Sequence, residues 1–188
     1  MKQKIKTYSI QFIKEIIPVV VGILIALFID NWNSQRKDKA YIDQVFLTIN
    51  SELEDSREDI KFILPKQKAL IEALELHTDN KEMTILEIVM GSKGIYIPQI
   101  KINAWRAVST TKIDLIAYEK VTSLSNIAEL KEILSNKSEF LMNFLYSNVN
   151  QTDKNTKQTF KLILLDIIQT ENTLQQCIEL FEKENVKR

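Results

Sequence analysis

The chain has 188 residues, 45% of them hydrophobic, with 25 Lys plus Arg against 25 Asp plus Glu. That balance leaves no global field to attract nucleic acid. Only three Gly and three Pro occur, too few for the many tight turns of a sandwich or barrel, so the composition predicts an all-α fold. A single Cys and a single His rule out an intramolecular disulfide and leave zinc sites and His-based triads without their ligands or base.

Near the N-terminus, Ile16 to Ile29 is a run of fourteen residues without a charge or an amide, followed by Asp30-Asn31-Trp32-Asn33 and Arg36-Lys37. At 1.5 Å per residue the run covers about 21 Å, less than the roughly 30 Å hydrocarbon core of a bilayer. Tyr8, Ile10, Phe12 and Ile13 extend it upstream, and Trp32 supplies an interfacial aromatic. A helix from Tyr8 to Trp32 reaches about 37 Å, enough to span with some tilt.

Two other readings of the run fit less well. A cleaved signal peptide needs a small-residue site that Ala26-Leu27-Phe28-Ile29-Asp30 does not offer. A soluble core helix that is apolar all round needs protein on every side. The expected organisation is therefore a tail and uncleaved signal anchor over residues 1–33, with one extracytoplasmic helical bundle over 34–188. Lys2, Lys4, Lys6 and Lys14 precede the span and Arg36, Lys37 and Lys39 follow it, a small bias toward a cytoplasmic N-terminus. Glu15 and Asp30 are the candidate intramembrane acidic residues. A carboxyl at membrane depth marks a proton or ion path by default, although these two lie near opposite ends of the span.

Glu15-Ile16, then Gly22 to Leu27, then Ile29-Asp30-Asn31-Trp32-Asn33 with Arg36-Lys37 resemble the opening of an uncharacterised family of small bacterial single-pass membrane proteins. Its members read E-I, G-I-L-I-A-L and I-N-N-W-N-E. Asp30 and Ser34 stand where Asn and Glu are usual. A weaker likeness continues at Trp105 to Thr110, with Thr111 in place of a turn glycine. The strong part covers about a fifth of the chain. It implies a bacterial single-pass membrane protein and carries no activity across; with the Lys and Arg bias, the expected address is the inner membrane with the C-terminal domain periplasmic.

Beyond the anchor, Ile42, Phe46, Ile49, Leu53, Ser56, Ile60, Ile63, Gln67, Leu70 and Leu74 follow alternating steps of four and three, a sustained heptad stripe. Extended backward, the phase reaches Lys39, Gln35, Trp32 and Phe28, which predicts one long helix continuous with the span. Pro65 should kink that helix or end it. Thr84 and Glu87 form a capping box for a short helix through Met90. Gly91 to Ile102 reads as an extended connector, Ala104 to Thr110 as a short helix, and Lys112 to Lys120 as its continuation. Ser123 then caps a helix burying Ile127, Leu130, Ile133 or Leu134, Leu141, Phe144 and Leu145. After a polar turn over residues 148–156, a second stripe through Phe160, Ile163, Ile167, Thr170, Leu174, Cys177 and Phe181 should run antiparallel to the first.

Few residues suggest chemistry. Glu52, Glu54, Asp55, Glu58 and Asp59 share a helix face, which reads either as a cation or basic-partner site or as a solvated face relieved by Arg57 and Lys61. Tyr96, Trp105, Arg106 and Tyr118 are the candidate lining of a small ligand pocket, the plainer reading being that they fill space where helices meet. No catalytic, cofactor-binding or metal residue stands out, and no cofactor is expected. The expected partners are the lipid bilayer and either another protein or further copies of the chain. The function expected is that of a non-enzymatic scaffold, adaptor or accessory subunit. The alternative is a membrane-anchored ligand-sensing bundle that signals through a partner.

Overall fold

A computed structural model describes residues 2–186, with the side chains of residue 14 and of 16–184. Among the described residues the protein is all-helical: α1 Lys2–Leu76, α2 Ile85–Gly91, α3 Asn103–Ser109, a 3-10 turn Ile113–Leu115, α4 Tyr118–Asn148 and α5 Lys154–Val186. Two compact units are present, Met1–Gln44 and Val45–Arg188.

In the first unit, the large apolar side chains from Ile16 to Trp32 are between 40% and 72% exposed. None of this apolar window is buried in the protein, and the helix is long and apolar enough to be a candidate membrane span. Tyr8, Ile10, Phe12, Ile13 and Glu15 have side chains outside the described residues.

In the second unit, the first heptad stripe holds from Ile49 onward, Phe46 being only half-buried. Ile49, Leu53, Ser56, Ile60, Ile63, Gln67, Leu70 and Leu74 are all buried, each apolar member contributing about 1.5–3 kcal/mol of burial free energy. Pro65 does not end α1, which continues to Leu76. Its ring is on the exposed face, so the Lys61 carbonyl that loses its N–H partner can turn to water while Ile63 and Gln67 stay in the core.

α5 runs antiparallel to α1. Phe46 stacks on Phe181 with centroids 6.5 Å apart, Gln67 meets Glu171, and Lys161 pairs with Glu75 at 3.1 Å. The expected α5 stripe needs correction at alternate positions. Phe160, Ile167, Leu174 and Phe181 are buried as expected, but the residues that alternate with them on the seam are Leu164, Glu171 and Ile178, with Lys157 preceding Phe160, all 0% exposed. Ile163 and Cys177 are only half-buried, while Thr170 is buried beside the seam.

α4 joins α5 through a short turn in which the Asp153 carboxylate accepts the Thr156 N–H at 3.0 Å. The Thr156 hydroxyl and N–H hold the Asp153 carboxyl below its ordinary range. Phe144 stacks on Phe160 at 6.2 Å. α4 begins at Tyr118, five residues before the expected cap Ser123, and its N-cap is Ala117 in extended conformation with no side-chain hydrogen bond. Lys112 to Lys120 is broken by the 3-10 turn and that extended residue rather than forming one helix. Leu124, Ile127, Leu134, Leu141 and Leu145 are buried; Leu130 and Phe144 of the expected face are only half-buried, and Ile133 lies outside the core.

The Thr84–Glu87 capping box is present. The N–H groups of Ile85 and Leu86 donate to the carbonyls of Gln151 and Val149 at 3.0 and 3.1 Å, so the turn after α4 supplies acceptors for the α2 N-terminus. α2 closes through Lys93 and Gly94, whose φ values are 65° and 101°. The second angle favours glycine.

Candidate functional site

The acidic face of α1 has a structural task that neither sequence reading anticipated. The connector leaves α2 as extended backbone, and its N–H groups are taken up by α1 side chains. Asp59 Oδ2 accepts from Gln99 at 2.6 Å, Ser56 Oγ from Lys101 at 2.8 Å, and Glu52 Oε2 from Ala104 at 3.0 Å. Lys101 Nζ adds a 2.8 Å bond to Asp55. The Ala104 contact matters locally, because α3 has no side-chain cap of its own at Ile102; a carboxylate from another helix accepts at its positive end. α3 is thereby held against the bundle and Trp105 is placed inside it.

Of the four candidate pocket residues, the structure brings two together. Trp105 is 4% exposed and part of the core. With Arg106 it lines an open groove of about 470 Å³ between α3 and α4, whose other wall carries Glu129, Lys131 and Glu132. Two cations facing two carboxylates favour no single ligand charge. Tyr96 lies apart, its ring under the Lys66 ammonium at 4.5 Å and its carbonyl bonded to Gln67. Tyr118 is 80% exposed at the start of α4. A larger groove of about 670 Å³ follows the connector past Asp55, Asp59, Phe62 and Lys101, but its Asp55 and Asp59 carboxylates already hold Lys101 and the Gln99 N–H. Among the described residues no three His, Cys, Asp or Glu are grouped to hold a metal. Asp30 is exposed in α1, and the Glu15 side chain is outside the described residues.

The surface feature that sequence reasoning missed is a third groove, of about 450 Å³, on the outer side of α4 and α5. Phe140 and Leu162 line it with Asn136, Lys137, Ile163 and Asp166. Phe140 is 59% and Leu162 63% exposed. A signal existed: Ile133 and Phe140 are seven apart, as are Leu134 and Leu141, so α4 carries two adjacent apolar stripes and the core uses one.

Two charged residues sit in the bundle seam. Lys157 donates to the carbonyls of His77 at 2.9 Å and Asn80 at 2.5 Å, at the α1 C-terminus where a cation is favoured. Glu171 accepts from Gln67 Nε2 at 2.7 Å, and burial pushes its carboxyl up to about 7.

These features define an all-α bundle with a candidate membrane span at its N-terminal end. Comparison of the chain with family models, curated proteins and solved structures gave no match.

Proposed function

We propose that this protein is a single-pass protein of the bacterial inner membrane, its N-terminus cytoplasmic and its helical unit periplasmic, acting as a non-enzymatic scaffold, adaptor or accessory subunit through protein–protein contacts. The supporting observation is the Phe140–Leu162 groove. Its two large side chains remain more than half exposed although the adjacent α4–α5 seam is closed, and exposed apolar clusters of this kind mark association surfaces. The resemblance of the N-terminal segment to bacterial single-pass proteins supports the address, and the Lys and Arg distribution supports the orientation.

The test is site-specific photo-cross-linking at native expression, with the photoreactive residue at position 140 or 162 and, as a control, at the exposed position 119. A defined adduct from 140 and 162 but not from 119, lost when the other groove residue becomes Glu, is the expected result. A strictly monomeric protein without adducts at either groove position overturns the proposal.

The ligand-sensing alternative has one observation in its favour, the shared groove of Trp105 and Arg106. It predicts a ligand-dependent change in Trp105 fluorescence in a Trp32→Phe background, which the contact reading does not.

A further inference from the structure

Gln67 and Glu171 face each other across the α1–α5 seam, 1% and 0% exposed. Gln67 Nε2 donates both to Glu171 Oε1 at 2.7 Å and to the Tyr96 carbonyl at 2.9 Å. A carbonyl only accepts, so Tyr96 fixes which end of the amide is nitrogen. With both N–H groups used, Gln67 Oε1 is a buried acceptor without a partner, and so is Glu171 Oε2. An ionised Glu171 would leave a buried anion with one hydrogen bond and two orphaned oxygens in the same pair. A carboxylic acid and a carboxamide, by contrast, close a ring of two hydrogen bonds. The first is in place, and a proton on Oε2 would supply the donor that a second requires.

We propose that Glu171 folds as the neutral acid, its Oε2 proton donated to Gln67 Oε1, so that the pair is a proton-operated latch between α1 and α5, closed when protonated and loosened on ionisation. The surroundings favour the proton. Burial acts most strongly, the Gln67 hydrogen bond opposes it, and the charge of Asp59 on α1 adds to burial. Three cations on the packed elements are engaged elsewhere. Lys66 of α1 lies over the rings of Phe62 and Tyr96, Lys101 of the connector pairs with Asp55, and Lys137 of α4 bonds to Asp166 and Thr170. On α5 itself, Glu179 is held by Gln175.

Hydrogen exchange of the full chain in detergent micelles, compared at pH 5.5 and pH 8 after correction for intrinsic rates, tests the latch. Segments 60–74 and 160–178 of the wild type should open about thirtyfold more at the higher pH, whereas Glu171→Gln should show no such change and be the better protected form at pH 8. Carbon NMR of glutamate-labelled protein should show one carboxyl titrating near neutrality, absent in Glu171→Gln and displaced in Gln67→Met. If Glu171→Gln does not fold, the wild-type and Gln67→Met titrations decide. Identical pH responses in wild type and Glu171→Gln, or all glutamates titrating in the ordinary range of about 4 to 5, overturn the proposal.

Discussion

Lys157 and Glu171 are the two fully buried charged side chains of α5 among the described residues, each held by hydrogen bonds to groups of or just after α1. The expected and observed α5 stripes share Phe160, Ile167, Leu174 and Phe181, and a heptad pattern separates them only by the positions between. The true phase passes through two charged residues. A period that scores charge as solvent rejects Glu171 in favour of Thr170, and that phase takes Ile163 and Cys177 in place of Leu164 and Ile178. Their partners, the carbonyls after α1 and the Gln67 amide, lie 77 to 104 residues away in the chain, so no local pattern announces them. The linkage sign for Glu171 follows from its raised carboxyl. The folded chain keeps the proton where the unfolded chain has lost it, so stability falls as pH rises from about 4.5 to about 7 and levels off above. The full ionisation penalty is about 3 kcal/mol. For Lys157, replacement by Met preserves most of the volume but removes the ammonium donor from the Asn80 carbonyl and leaves the His77 carbonyl with the Asn80 N–H alone. A loss of about 2 kcal/mol is expected in thermal unfolding followed by circular dichroism, and Lys157→Arg should recover part of it.

At the scale of elements, legibility tracked sequence distance. The α2 capping box spans three residues and was visible; the first stripe was visible because each step stays on one helix. The docking of the connector was not, since Asp59, Ser56 and Glu52 reach N–H groups 40, 45 and 52 residues on. An acidic helix face looks the same whether it meets water or backbone. The candidate pocket fared likewise: burial of Trp105 follows from α3 being anchored by Glu52, whereas Tyr118 begins α4 and points away from that core. Glu52→Ala should raise exchange at the α3 amides and reduce stability by about 1 kcal/mol, leaving the α1–α5 seam protected. Pro65→Ala should have the opposite sign. The ring lies on the exposed side of a continuous helix, so restoring the N–H to the Lys61 carbonyl should raise stability by about 1 to 3 kcal/mol in the same melts.

For the whole molecule, the exposed apolar segment of the first unit is a candidate membrane span whose covering could be lipid or protein. Twelve large apolar side chains between Ile16 and Trp32 are at least 40% exposed, a surface far larger than the scattered apolar residues of a soluble monomer. Lipid fits because the segment is apolar on every face, whereas a helix docked on protein keeps one polar side. The two coverings give different responses to charge. In a bilayer, Leu24→Lys and Ile25→Lys each place an ammonium near the middle of the span, at about 2.5 to 3.5 kcal/mol apiece, and together they should move the chain from the carbonate-resistant membrane pellet to the supernatant. Lys14 and Arg36, near the ends, should tolerate exchange for one another without such release, since both reach the interface. A wild-type chain already found in the carbonate supernatant, or a double-lysine variant that stays in the pellet, would show that this segment is covered by protein instead.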